Sequence, residues 1–162
     1  MSVPFRVGIG VDAHRFVSGR PLVLGGVTIP FPMGLEAHSD GDVLTHAVMD
    51  ALLGAAGVGD KGKLFPPTDP KYKDARSMDL LHVAMKAVME AGFDIGNVDV
   101  SVMCEEPRIG PYREEMRDAV ATALGIEIDA VSIKGTTLEG MGFTGRKEGI
   151  AALATVLIIR QE

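Results

Sequence analysis

From Arg6 to Phe16 apolar residues alternate with small or polar ones, Val7, Ile9 and Val11 against Gly8, Gly10, Asp12 and His14. A period of two predicts a strand that buries the odd residues and sets Asp12 and His14 side by side on its other face. Residues 22–31 read as a hairpin, LVL then VTI around a Gly-Gly pair, stopped by Pro30 and Pro32. A loop through Gly34 and His38 follows. Between 42 and 53 the period lengthens, with apolar residues at 43, 44, 47, 48, 51 and 52. That pattern is helical, with Ser39, Asp40 and Asp42 as candidate caps. Its polar stripe is Asp42, His46 and Asp50. Residues 54–76 are rich in Gly and Pro and predict a long loop, a feature of compact domains that is commonly functional.

In the second half, Ser77 is placed to cap a helix with Met78, Leu81, Ala84, Met85, Val88 and Met89 on one face and Gly92 at its end. Residues 97–105 form a strand with Val98, Val100 and Val102 on one side. Pro111 suits the first turn of another helix, with Met116, Ala119, Val120, Ala123 and Leu124 inward and Gly125 as a left-handed cap. Residues 131–134 and 149–160 supply two further strands. Strands first, then strands mixed with three helices, predict an α+β fold: a mixed β-sheet with helices packed on one face, in a single domain over 1–162.

Composition narrows the class. A chain of 162 residues, 46% hydrophobic and 23% charged, fills one core and is short for two. The net charge of −6 includes no basic run to follow a phosphate backbone, which speaks against nucleic acid as a partner. A single cysteine, Cys104, excludes an internal disulfide and a thiolate-rich zinc site. The N-terminus has no apolar signal core. The longest apolar stretch, 149–159, is well short of the roughly 20 residues that cross a bilayer, so the expectation is a cytoplasmic protein without a membrane partner.

Two segments carry chemistry. Asp12 and His14 two apart on a strand, with His46 on a helix, make an Asp-His-His set suited to catalytic zinc with an open position. The same residues could equally be ordinary surface polar groups. Lys134 opens GTTLEG, a turn of hydroxyls and backbone donors able to hold phosphate, with Glu139 free for a bridging cation; a plain polar turn is the alternative. Gly8, Gly10 and Ala13 match a dinucleotide fingerprint, but Ser18, Gly19 and Pro21 break the chain where that motif needs a helix, so the nicotinamide reading is rejected. His82, beside Asp79 and Lys86 on a solvated helix face, has no assigned role.

Longer blocks are recognisable: GVDAH at 10–14, AHSDGDV at 37–43, DALLGAA at 50–56, GDKGKLFP at 59–66, GNVDV at 96–100, KGTTLE at 134–139 and GFTGR at 142–146. In this order, over nearly the whole chain, they resemble the 2-C-methyl-D-erythritol 2,4-cyclodiphosphate synthases. The resemblance implies a homotrimer with active sites between subunits and a cytidine diphosphate substrate, 4-diphosphocytidyl-2-C-methyl-D-erythritol 2-phosphate. It implies Zn2+ on Asp12, His14 and His46, and Mg2+ or Mn2+ on Glu139 at the diphosphate. His38 and Thr137 would be catalytic, positioning phosphates with Ser39. The further substrate-binding set it implies is Asp60, Gly62, Phe65 and Asp69, with Cys104, Pro107, Ile109, Gly110, Lys134 and Thr136 toward the cytidine side. Phe143 and Arg146 would lie near a cavity on the trimer axis. Pro67 stands where an acidic residue is common in this family. A phosphohydrolase using the same metal set, and a trimeric binding protein with structural zinc, are the competing readings.

Overall fold

The computed structural model describes residues 3–162. Its elements are β1 (Phe5–Val17), β2 (Leu22–Leu24), β3 (Val27–Ile29), β4 (Gly34–Leu35), α1 (Val43–Ala56), α2 (Lys61–Leu64), α3 (Ser77–Glu90), β5 (Phe93–Met103), α4 (Arg113–Leu124), β6 (Val131–Thr136), α5 (Gly142–Gly145) and β7 (Gly149–Arg160). Five strands form one sheet in the order β4-β1-β7-β5-β6. It is mixed, because β5 and β6 run parallel while the other neighbours are antiparallel. The long helices α1, α3 and α4 cover one face, as the α+β expectation requires.

The register shows which face. Gly8 pairs with Val156, Gly10 with Ala154 and Asp12 with Ala152, so these residues share a side with Val98, Val100 and Val102 of β5. That side is buried. The opposite side carries Val7, Ile9 and Val11, which are 66%, 64% and 60% exposed. The expectation that the odd residues of β1 are buried under the helices is therefore corrected. Alternation distinguishes two faces, and here the face with the small residues meets the core, because α1 lies directly against it. A Cβ on Gly8 would overlap the carbonyl of Ala51, and one on Gly10 the carbonyl of Ala47. Only glycine permits that approach.

Helix α1 is buried nearly all round, with twelve of its fourteen residues buried. Such a helix is a core element, so its polar stripe is an internal feature and not a solvated face. It ends at Gly57 in the left-handed conformation, φ 73°. Residues 54–76 are less irregular than their composition predicts. They complete α1, form α2, and include a 3-10 turn, Pro70–Tyr72. Ser77 is the first residue of α3 and makes no cap to its own helix; its partners are described below. β2 and β3 form a ribbon apart from the main sheet, joined by Gly25 and Gly26, both with positive φ (55° and 75°). Two such residues make the tight turn that suits strand twist.

Gly10→Ala is expected to destabilise the fold by at least ~2–3 kcal/mol, because backbone must move to admit the methyl. Gly54→Ala lies inside α1 with open space at the added Cβ, and should stabilise by ~0.5–1 kcal/mol. Urea unfolding of both variants checks the pair; a neutral Gly10→Ala would mean that the contact of α1 with β1 is loose.

Candidate active site

The N-terminus of α1 is built around Asp42. This fully buried carboxylate accepts from the backbone N–H and hydroxyl of Thr45 at 3.0 and 2.8 Å, capping the helix. It also accepts the N–H groups of Gly25 and Gly26 at 2.9 and 2.8 Å. The hairpin turn and the helix start thus share one anion. Burial and the nearby charge of Asp40 push the Asp42 carboxyl upward, against the donors that favour its ionised form. Arg20 secures the preceding segment by donating to the carbonyls of Ala37 and Ser39.

One turn into α1, His46 reaches the end of β1. Its Nδ1 lies 3.0 Å from Asp12 Oδ2 and 3.1 Å from His14 Nε2, and His14 Nε2 lies 2.9 Å from the same carboxylate oxygen. Three possible ligand atoms thus fall within 4.8 Å of one another. One carboxylate oxygen with two imidazoles suits a divalent cation, zinc included, and three protein ligands leave a position open. The residues present therefore fit the metal that the sequence implies. Asp12 turns its other oxygen to the ammonium of Lys61, 2.9 Å away. Burial raises the Asp12 carboxyl, but the imidazoles of His14 and His46 against it and the ammonium of Lys61 outweigh that, holding Asp12 well below the usual carboxylate range.

The cluster opens onto a cleft of about 190 Å³ lined by His14, His38, Ser39, His46, Lys61 and Phe65, among others. All of these except Lys61 were expected at the site. Asp60 caps α2 through the N–H of Lys63, and Gly62 lies exposed on that turn. Asp69 caps the turn Pro70–Tyr72, and its carbonyl lies 3.4 Å from His38 Nε2. Both thus hold loop segments that wall the cleft. His82 is exposed on α3. Sequence reasoning missed Lys61, Asp40 and Ser77. Lys61 sits in the expected GDKGK block, yet no periodicity marks a lysine for an ion pair with a residue 49 positions earlier.

A second cleft, about 510 Å³, lies between the segment after β5 and the end of β6. Cys104, Ile109, Gly110, Thr136 and Thr137 line it, and Pro107 sits in the same loop, its carbonyl contacted by the Cys104 thiol at 3.5 Å. The two clefts have no lining residue in common. Glu139 is exposed beside Thr137, with its N–H 3.5 Å from the Thr137 hydroxyl. Lys134 is not brought to this cleft: it points to the open face of the sheet and pairs with Asp99 of β5. Phe143 and Arg146 are exposed around α5, where Arg146 pairs with Glu148 at 3.3 Å.

Cys104 is buried and donates to the Glu106 carbonyl at 3.0 Å. Burial, with the charges of Glu105 and Glu106, pushes its thiol up to about 12. At neutral pH its thiolate fraction should be about a thousandfold below that of an ordinary cysteine. Iodoacetamide followed by mass spectrometry should find Cys104 unmodified in the folded chain and modified in guanidinium. Ready labelling of the folded chain would show that the loop over the second cleft opens.

The sequence profile described as the YgbB family matches residues 5–159. The 2-C-methyl-D-erythritol 2,4-cyclodiphosphate synthase of Moorella thermoacetica is 54% identical over 157 residues, 97% of this chain and 96% of the relative. That of Desulfatibacillum aliphaticivorans is 57% identical over 147 residues, 91% and 95% of the two chains. Among solved structures, the bifunctional IspDF of Campylobacter jejuni superposes with a TM-score of 0.95 at 45% identity, over 99% of this chain. This chain spans 44% of that larger protein. The IspF–CDP complex of Plasmodium falciparum gives 0.86 at 34% identity, over 99% of this chain and 100% of the other. With its profile matched almost end to end and its backbone superposing on these relatives over 99% of its length, the chain belongs to the YgbB family.

Proposed function

We propose that this chain is a 2-C-methyl-D-erythritol 2,4-cyclodiphosphate synthase, a phosphorus–oxygen lyase of the non-mevalonate route to isoprenoid precursors. The observation that carries the reading is the Asp12-His14-His46 cluster opening on its own cleft, in a chain whose near-full-length relatives bear that name. The substrate is 4-diphosphocytidyl-2-C-methyl-D-erythritol 2-phosphate. An oxygen of the 2-phosphate attacks the phosphorus distal to cytidine, the bridge between the two diphosphate phosphorus atoms breaks, and CMP departs with the bridging oxygen. A phosphate is already an adequate nucleophile, so the protein must supply position and charge neutralisation more than a strong base.

Asp12, His14 and His46 would hold a divalent cation, which when bound would supply positive charge for the phosphoryl oxygens. His38 and Ser39, on the same cleft, orient the attacking phosphate, and Lys61 adds a second positive charge beside Asp12. Cys104, Pro107, Ile109 and Gly110, with Thr136, surround the cytosine in the second cleft; the CDP complex of the Plasmodium relative supports a cytidine diphosphate as the ligand class. Thr137 and Glu139 stand at the diphosphate, Glu139 for a second cation such as Mg2+ or Mn2+. Lys134 fits that role less well, because Asp99 already occupies its ammonium.

Two separate clefts on one chain support a site assembled between subunits of a homotrimer, each interface joining the metal cleft of one copy to the nucleotide cleft of the next. The uncovered apolar side of β1 supports the same assembly, since a continuous patch of Val7, Ile9 and Val11 marks an interaction surface.

Zinc-loaded protein with Mg2+ should release CMP stoichiometrically with cyclic diphosphate. His46→Gln should lose the bound metal and drop CMP release by more than ~100-fold, beyond the range of an outer-shell partner. Release of inorganic phosphate in place of CMP would instead identify a phosphohydrolase. The assembly has its own check. Asp12→Ala and Thr137→Ala chains, each inactive and each shown to be trimeric, are unfolded together in equal amounts and refolded. About one interface in four then pairs two intact halves, so about a quarter of the parent activity should return. Activity that stays at the level of the two variants would mean that each subunit builds its site alone.

A further inference from the structure

Both ring nitrogens of His46 are within hydrogen-bond reach of partners. Nδ1 faces Asp12 and His14, while Nε2 lies 2.8 Å from the Ser77 hydroxyl and 3.1 Å from that of Ser39. The distances by themselves do not decide which nitrogen carries the proton. Ser77 does. It is fully buried, and its hydroxyl donates to Asp40 Oδ1 while its backbone N–H donates to Asp40 Oδ2 at 2.9 Å. An ionised carboxylate only accepts, and a serine hydroxyl has one proton. That proton is committed to Asp40, so toward His46 the Ser77 oxygen offers a lone pair. His46 Nε2 must therefore be the donor. In the neutral ring Nδ1 then keeps its own lone pair, and the donor between it and Asp12 Oδ2 is His14 Nε2, 3.1 Å from the one and 2.9 Å from the other.

We propose that Asp40 and Ser77 are positioning residues that select the metal-binding nitrogen of His46 by fixing its tautomer. The inference rests on the metal reading above and adds a chain Asp40–Ser77–His46 behind it. The same carboxylate caps α3 from outside that helix, since the N–H of Ser77 belongs to its unsatisfied first turn. A third donor, the N–H of Asp42 at 3.1 Å, ties Asp40 to the start of α1. Docking of α3 beside α1 and orientation of the metal ligand thus depend on one acidic side chain. Outer partners of this kind typically change metal affinity by ~10–100-fold when removed.

Histidine-ring 1H–15N spectra of the full-length chain, stripped of metal and held above the imidazole titration range, test the proposal without any substitution. The parent should show His46 neutral and protonated at Nε2, and the same nitrogen should stay protonated when zinc is returned. Protonation at Nδ1 in the metal-free parent overturns the inference. In Ser77→Ala the two tautomers should mix, and zinc affinity, read by competition with a chromophoric chelator, should fall ~10–100-fold. A purely structural role for Ser77 would lower Tm and leave tautomer and affinity at parent values, which also overturns it. Should Ser77→Ala fail to fold, the parent spectrum decides. A parent that takes up no zinc sinks the metal reading, while the tautomer is still read from the same spectra.

Discussion

Backbone contact between α1 and β1 is the constraint on which the rest depends. Gly8 and Gly10 lie under the carbonyls of Ala51 and Ala47, so helix and strand meet with no side chain between them on that line. The alanines at 47, 51 and 55 form the matching stripe on the helix. An approach this close fixes the height of α1 over the sheet, and so the reach of His46. At the far end of the same strand face the small residues stop and Asp12 and His14 project, meeting the imidazole at 3.0 and 3.1 Å. A longer side chain at either glycine would lift the helix and part the three ligands.

Around that contact, acidic residues serve mostly as caps. Asp42 closes α1 and the Gly25–Gly26 turn, Asp40 the first turn of α3, Asp60 the short α2, and Asp69 the turn after it. A helix cap of this type stabilises by ~1 kcal/mol, and the caps at Asp60 and Asp69 also hold segments that wall the cleft beside Asp12, His14 and His46. Lys61 shows the same economy from the cationic side. Its N–H donates to Asp50 at 2.7 Å and its ammonium reaches Asp12, so a single residue joins α1, α2 and the metal ligands. Because Asp12 is satisfied on both oxygens, its carboxylate is oriented before any cation arrives.

The sheet divides its labour by face. One side is filled by Val98, Val100, Val102, Ala152, Ala154 and Val156 against the helices. The other carries Val7, Ile9 and Val11 of β1 toward one edge and the Asp99–Lys134 pair at the other. Uncovered apolar surface on a strand this long favours association, and a homotrimer of the proposed kind would bury it. The second cleft lies at the C-terminal ends of the parallel pair β5 and β6, where the chain leaves the sheet and main-chain groups become free for a ligand.

Much of this was legible in the sequence. Period-two and period-3.6 patterns located the long strands and helices, the Gly-Gly pair marked the hairpin, and Asp12 and His14 could be set on one face because they lie two residues apart on a strand, whereas their grouping with His46 as a ligand set rested mainly on the family resemblance. What the pattern could not decide was which face of β1 meets the core. Branched residues suggested the odd side, whereas glycine won because burial there is against backbone and has no room for side chains. Lys61, Asp40 and Ser77 were equally hidden, since their roles rest on contacts across 31 to 49 positions of chain that only folding creates. The sequence by itself determined the elements and the donor atoms; tertiary structure decided their facing, their hydrogen-bond partners and the separation into two clefts, because those follow from distances between segments that no local periodicity encodes.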